Sequence, residues 1–224
     1  MILLRADFSR REVVDTRLMP WEASPLAGVD RKPLDRIGGE VARATSIVRY
    51  AEGSHFDAHE HPLGEEFLVL LGRFSDEWGD YRAGTYVRNP PGSSHRPFSR
   101  DGCEIFVKLR QFEPDDRKRI LIDTRRTAWL PGLVPGLSVL PLHQHGVESV
   151  ALVRWAPGTR FKAHSHWGGE EILVLDGVFS DEYGDYPTGT WLRNPHRSMH
   201  TPFSEQGCLI WVKVGHLESL PEGS

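Results

Sequence analysis

Apolar residues in this chain come in short runs, and most runs stop at a glycine, a proline or an acidic turn. The stretch ATSIVRYAEG (44–53) is rich in β-branched residues and ends at Gly53, which predicts a strand entering a turn. FLVLLGRFSDEWGDYRAGTYVRNP (67–90) holds two apolar runs split by an acidic, glycine-containing segment, a hairpin signal. EIFVKLRQF (104–112) predicts one more strand. The one helical spacing of about 3.6 residues is weak and lies around Asp115–Ile122. Many short strands with Gly and Pro turns predict an all-β sandwich or small barrel.

The same pattern then returns. His59 to Lys108 and His164 to Lys213 align without a gap at an offset of 105 residues, and roughly three positions in five are identical. Two domains are therefore expected, 1–112 and 113–224, each with a leading segment. The link over 111–136 is charged and then Pro/Gly-rich, as a boundary should be. Residues 1 to about 40 read as an extended arm with one edge strand, and TAWLPGLVPGLSVL (127–140) as its counterpart. The leaders are expected to pack across their own barrels, with Trp21 and Trp129 as core anchors. LESLPEGS (217–224) reads as a frayed polar tail.

Composition adds exclusions. The net charge is -4 with both signs interspersed, so no basic stripe points to nucleic acid. No apolar run approaches the roughly 18 residues of a membrane span, and MILLRADFSRREVV is too short and too charged for a signal peptide. A cytoplasmic location without membrane association is expected. The two cysteines, Cys103 and Cys208, occupy matching places in the repeats and are read as small buried thiols rather than a disulfide.

The retained residues carry chemistry. His59 and His61 are two apart, so on a strand they share a face. Glu65 follows a Pro-Leu-Gly turn, and His95 arrives from a later strand. Three imidazoles and a carboxylate suit a divalent metal, and His164, His166, Glu170 and His200 repeat the set. Two full copies make histidines buried only for packing an unattractive alternative. His143 and His145 form another His-x-His but lack a following Glu, and are read as polar surface or strand.

These residues also fit a family. Gly53, His59, His61, Glu65 and Gly72, then Gly84, Pro90, Gly92 and His95, match the two cupin motifs. The second copy gives Gly158, His164, His166, Glu170 and Gly177, then Gly189, Pro195 and His200, with Arg197 where the motif has Gly. The fuller wording HxHxxGEE, FSDExGDY, RNPxxSxHxPFS and GCxIxVK resembles the ChrR-type cupin group. That resemblance implies two tandem jelly-roll β-barrels, each holding a metal. Zinc is the first expectation, as in the ChrR anti-sigma factor, with iron, manganese or nickel as alternatives, and two ions per chain. The first 40 residues contain no cysteine and no histidine, so the helical zinc module that grips a sigma factor is not expected here, nor direct sigma-factor binding.

Other repeated residues have weaker readings. Glu66 and Glu171 neighbour the ligands but should face the opposite way, into the barrel wall, or else orient a histidine from behind. Arg49, Arg154, Arg88 and Arg193 recur. Each either pairs with a carboxylate such as Asp76 or Asp80, or holds a substrate carboxylate in the cavity. FSDEWGDY and FSDEYGDY read as acidic hairpins rather than calcium loops, and Tyr81, Tyr186, Phe98 and Phe203 as barrel filling.

Three functions fit. The first is a ChrR-like, stress-sensing or transcription-regulating module binding zinc and a small ligand. The second is an iron- or manganese-dependent cupin dioxygenase acting on a small carbonyl or dicarbonyl compound. In the third, one barrel binds metal and the other serves as a dimer platform. A homodimer is expected by analogy.

Overall fold

One bent strand anchors each half of the molecule. In the computed structural model, which describes Met1–Leu217, the strand Glu65–Asp76 serves two sheets. Its first half pairs with Thr85–Asn89 and Cys103–Leu109, and its second half with Gly79–Arg82 and Phe98. The bend falls where the register slips between Glu104 and Ile105, beside Gly72. Gly72 has φ 72°, and a Cβ there would run into the Gly102 carbonyl, so only glycine lets the strand turn here. Glu170–Asp181 repeats the bend, with Gly177 at φ 72° against Gly207.

The main sheet of the first half runs Ile2–Leu4, Val29–Gly38, Ala42–Tyr50, Cys103–Leu109, Glu65–Asp76, Thr85–Asn89, Ile120–Asp123. The second runs Leu130–Pro131, Leu137–His145, Glu148–Trp155, Cys208–Val214, Glu170–Asp181, Thr190–Asn194, Glu12–Asp15. All ladders are antiparallel, and no helix occurs among the described residues. Alternate residues point inward and fill each barrel: Val48, Phe67, Val69, Phe74, Ile105 and Val107 in the first, Trp155, Ile172, Val174, Phe179 and Ile210 in the second. Each such side chain contributes about 1.5–3 kcal/mol by leaving water.

The chain divides into one unit of Met1–Ala6 with Met19–Thr127 and another of Asp7–Leu18 with Ala128–Ser224. Both compact units draw residues from either side of position 112/113. Residues 113–127 complete the first unit, and part of the leading arm completes the second. The cause is a second repeat, REVVDTR (11–17) against RILIDTR (119–125), at an offset of 108. Asp123 pairs with Thr85 and Asp15 with Thr190. Thr124 and Thr16 donate through Oγ1 to Gly84 and Gly189 at 2.6 and 2.7 Å. Each segment covers the same exposed edge of a barrel, but the one before the first repeat covers the second barrel.

Further expectations are corrected. The weak helical period at Asp115–Ile122 ends in the strand Ile120–Asp123, because edge pairing outweighs it. The arm holds three strands besides the one crossing to the second unit: Ile2–Leu4, Glu22–Ala23 and Val29–Gly38. Trp21 and Trp129 are half-buried rather than core anchors. Arg49 and Lys32 lie over Trp21 at 4.4 Å, and Arg154 over Trp129 at 4.2 Å. Phe98 and Phe203 are also only partly buried, under Arg100 and Arg160, whereas Tyr81 and Tyr186 are buried. His143 and His145 lie on the strand Leu137–His145, the former buried. The tail from Glu218 lies outside the described residues.

Cys103 and Cys208 are buried free thiols, as the sequence suggested. Burial pushes both up to about 11, only partly offset by hydrogen bonding with Ser99 and Ser204. The folded protein should therefore leave both unmodified by a disulfide reagent at pH 8 and yield two thiols after denaturation. Rapid native labelling would contradict this packing.

Candidate metal centres

The His-x-His ribbon builds each centre. His59–His61 pairs with Ser93–His95, with His59 opposite His95. Residues two apart share a face, so His59, His61 and His95 crowd together, with ring centroids 4.8–5.0 Å apart. His164–Ser165 pairs with Met199–His200 in the same register, and those three rings lie 4.7–5.0 Å apart. Gly92 (φ 83°) donates to the His61 carbonyl at 2.9 Å, closing the loop before the ribbon. Arg197 makes the same bond to His166 at φ 63°, so the departure from the motif keeps the left-handed turn at some strain.

The carboxylate comes from the start of the bent strand. Gly64 (φ 76°) lies against the Phe112 ring and turns the chain into Glu65. Glu65 Oε2 sits 3.6 Å from His61 Nε2 and 3.7 Å from His95 Nε2. Glu170 Oε2 has the same two distances to His166 and His200. Asn89 Nδ2 donates to Glu65 Oε2 at 3.0 Å, and Asn194 to Glu170 at 2.9 Å.

The far sides of the rings are held by oxygen. His59 Nδ1 meets the Asp57 carbonyl at 3.2 Å and His164 Nδ1 the Lys162 carbonyl at 3.1 Å. His95 Nδ1 meets Asp76 Oδ2, and His200 Nδ1 meets Asp181 Oδ2, both at 3.3 Å. Asp76 Oδ1 accepts from Tyr81 and from the Trp78 backbone, each at 2.8 Å, and Asp181 repeats this with Tyr186 and Tyr183. An Nδ1–H facing oxygen leaves the Nε2 lone pair aimed into the cluster.

A divalent cation fits this set. The Nε2 atoms of His61, His166 and His200 are buried with no hydrogen-bond partner among the described residues, a costly state for packing alone. One ligand atom from each of the three histidines of a set lies within 4.8 Å of the others. The distances to Glu65 and Glu170 lie close to the roughly 3.4 Å that separates two ligands of a tetrahedral zinc ion. His59 is exposed and His164 half-buried, so each cluster has a solvent side.

Electrostatics agree. Burial lowers His61, and neighbouring imidazoles add to the lowering against Glu65. Burial likewise lowers His164 and His166. Burial alone would raise Glu65, but His61, His95 and Asn89 outweigh it, and its carboxyl lies below the usual range. Burial opposes His95 too, yet Asp76 and Glu65 raise it.

With the geometry in place, likeness to known proteins has a meaning. The ChrR Cupin-like domain family matches twice, over residues 9–113 and 117–218. The chain belongs to the ChrR cupin-like family. No curated protein matches its sequence. The doubled ChrR cupin-like chain resembles a candidate dioxygenase from Nostoc punctiforme, with TM-score 0.79 at 15% identity over 95% of this chain and 85% of that one. It also resembles a candidate glyoxylate-induced protein from Pseudomonas aeruginosa, with TM-score 0.77 at 14% identity over 95% and 91%. An oxalate decarboxylase variant from Bacillus subtilis gives TM-score 0.59 at 13% identity over 91% and 76%. Identities this low establish the shared cupin fold and no more.

The other repeated residues make their bonds outside the clusters. Glu66 and Glu171 do face away from the clusters. Glu66 accepts from Tyr86 and Arg88 at 2.6 Å, and Glu171 from Trp191 at 2.8 Å with His216 at 3.0 Å. Arg88 pairs with Glu66 and Asp116, not with Asp76 or Asp80, and lies 3.9 Å over Phe112. Arg193 stacks on Phe8 and Trp191 and donates to the Asp7 carbonyl. Arg49 pairs with Asp30 on the outer surface, and Arg154 is exposed. Asp76, Asp181, Asn89 and Asn194 were missed. Their signal was present, because FSDExGDY and RNP are retained in both copies beyond what a hairpin turn requires.

Two expectations follow. Arg88→Ala should destabilise the first unit by about 3–5 kcal/mol, since Glu66 and Asp116 would lose a buried countercharge; denaturant unfolding would measure it. Without metal, lowered histidines stabilise the fold above about pH 6.5 and that contribution is lost as pH falls through their folded values, whereas a raised one acts oppositely. His164 and His166 are both lowered, while His61 and His95 oppose each other. On acidifying chelator-treated protein from pH 7.5 to 5, calorimetry should show the second unit's transition falling further than the first's.

Proposed function

We propose that each barrel holds one divalent ion on three imidazoles and one carboxylate, and that the pair forms a small-ligand-responsive binding module. The ligands would be His59, His61, Glu65 and His95 in the first unit, and His164, His166, Glu170 and His200 in the second. The observation that carries this reading is the convergence of buried, unpartnered Nε2 atoms on a carboxylate, made twice from the same sequence pattern. Zinc suits four such ligands, and a site closed by four protein atoms is structural or poised for ligand exchange. Membership of the ChrR cupin-like family favours a sensing role in regulation or stress response.

A second reading has its own support. The exposed face of His59 leaves a side from which a small molecule can approach, and one similar structure is of a candidate dioxygenase. There a bound iron or manganese ion would supply Lewis acidity and redox capacity toward a small carbonyl compound. The chain's own contribution would be positional: Asn89 fixes Glu65, and Asp76 keeps the His95 proton on Nδ1.

Elemental analysis of protein purified without added metal, with X-ray absorption to count ligands, separates these readings. Two zinc ions with four protein ligands each support the sensor. Iron or manganese with two or more water positions supports the enzyme. His61→Ala should remove about one equivalent of metal per chain while the second unit stays folded. Unchanged stoichiometry would count against the first centre.

A further inference from the structure

The two centres share ligands but differ in what stands behind them, and the difference is one arginine from the leading arm. Arg11 Nη2 donates to Asp181 Oδ2 at 2.9 Å and to the Tyr186 hydroxyl at 2.6 Å. Its Nε donates to Asn194 Oδ1 at 2.9 Å. Asp181 orients His200, and Asn194 orients Glu170. One guanidinium thus spans the supports of an imidazole and of the carboxylate in a single cluster. Its fork is planar and rigid, so it fixes the two supports relative to each other. Tyr183 and Tyr186 hold its face at 4.7 and 5.4 Å.

Among the described residues the first centre lacks this tie. The matching residue is Arg119, at the offset of 108 that relates the two edge strands. Its guanidinium lies 5.3 Å over Trp78, and Asp76 Oδ2 is left to His95. We propose that Arg11 is a positioning residue of the second centre, acting through Asp181 and Asn194, so that the arm controls one metal site and not the other. This rests on the reading of two metal centres given above.

Cobalt(II) titration of the metal-free full chain, followed by visible absorption and by competition with a chelator, tests it. The His61→Ala chain isolates the second centre, and His166→Ala isolates the first. Adding Arg11→Met should weaken cobalt binding about 10–100-fold in the His61→Ala chain and alter its absorption bands, while leaving the His166→Ala chain unchanged. Arg17→Ala perturbs the same strand without touching either support and should keep both equivalents at parental affinity. Unchanged affinity and bands for Arg11→Met in the His61→Ala chain would overturn the assignment, as would equal weakening in both backgrounds. A parent chain that takes up no cobalt sinks the metal reading itself, and the assignment with it.

Discussion

The arrangement depends on imidazole nitrogens that are taken out of water and, among the described residues, accept no hydrogen bond. Burial of His61, His166 and His200 Nε2 is unfavourable unless something accepts their lone pairs. The surroundings are built to keep them that way. Asp76 and Asp181 occupy the opposite nitrogens of His95 and His200, and Asn89 and Asn194 pin the carboxylates. This arrangement, made once in each half, is the physical basis of the functional proposal.

The bent strand links this site to the rest of the barrel. Its first residue is Glu65, and its last, Asp76, meets His95 from behind. The kink at Gly72 lets one strand deliver both ends to the same cluster. Between those ends Phe67, Val69 and Phe74 fill the barrel, so packing the core and positioning the carboxylates are the same event. Glu66, pointing the other way, ties that strand to Arg88 and Asp116 instead.

Duplication did not leave two identical halves. The second half has Trp191 in the place of Tyr86 and Arg197 in the place of Gly92, so Glu171 accepts from an indole where Glu66 accepts from a phenol. The candidate ligands and the Asp and Asn that bond them are the same residue types in both halves. The tolerant positions face outward or fill volume, whereas the ligand positions are fixed by distances of a few ångströms.

From its residues alone the chain disclosed the repeat, the all-β class, the resemblance to its family and the four candidate ligands of each set. These are legible because a two-residue period fixes which side chains share a face, and because glycines mark where the chain must turn. What it did not disclose depends on partners distant in sequence. That Glu12–Asp15 closes the second barrel rather than its own was decided by which sheet edge was free to take its hydrogen bonds. That an aspartate in an acidic hairpin stands behind a histidine followed from the bend at glycine. No local pattern encodes either, because each is a meeting of segments that only the closed barrel brings within bonding distance.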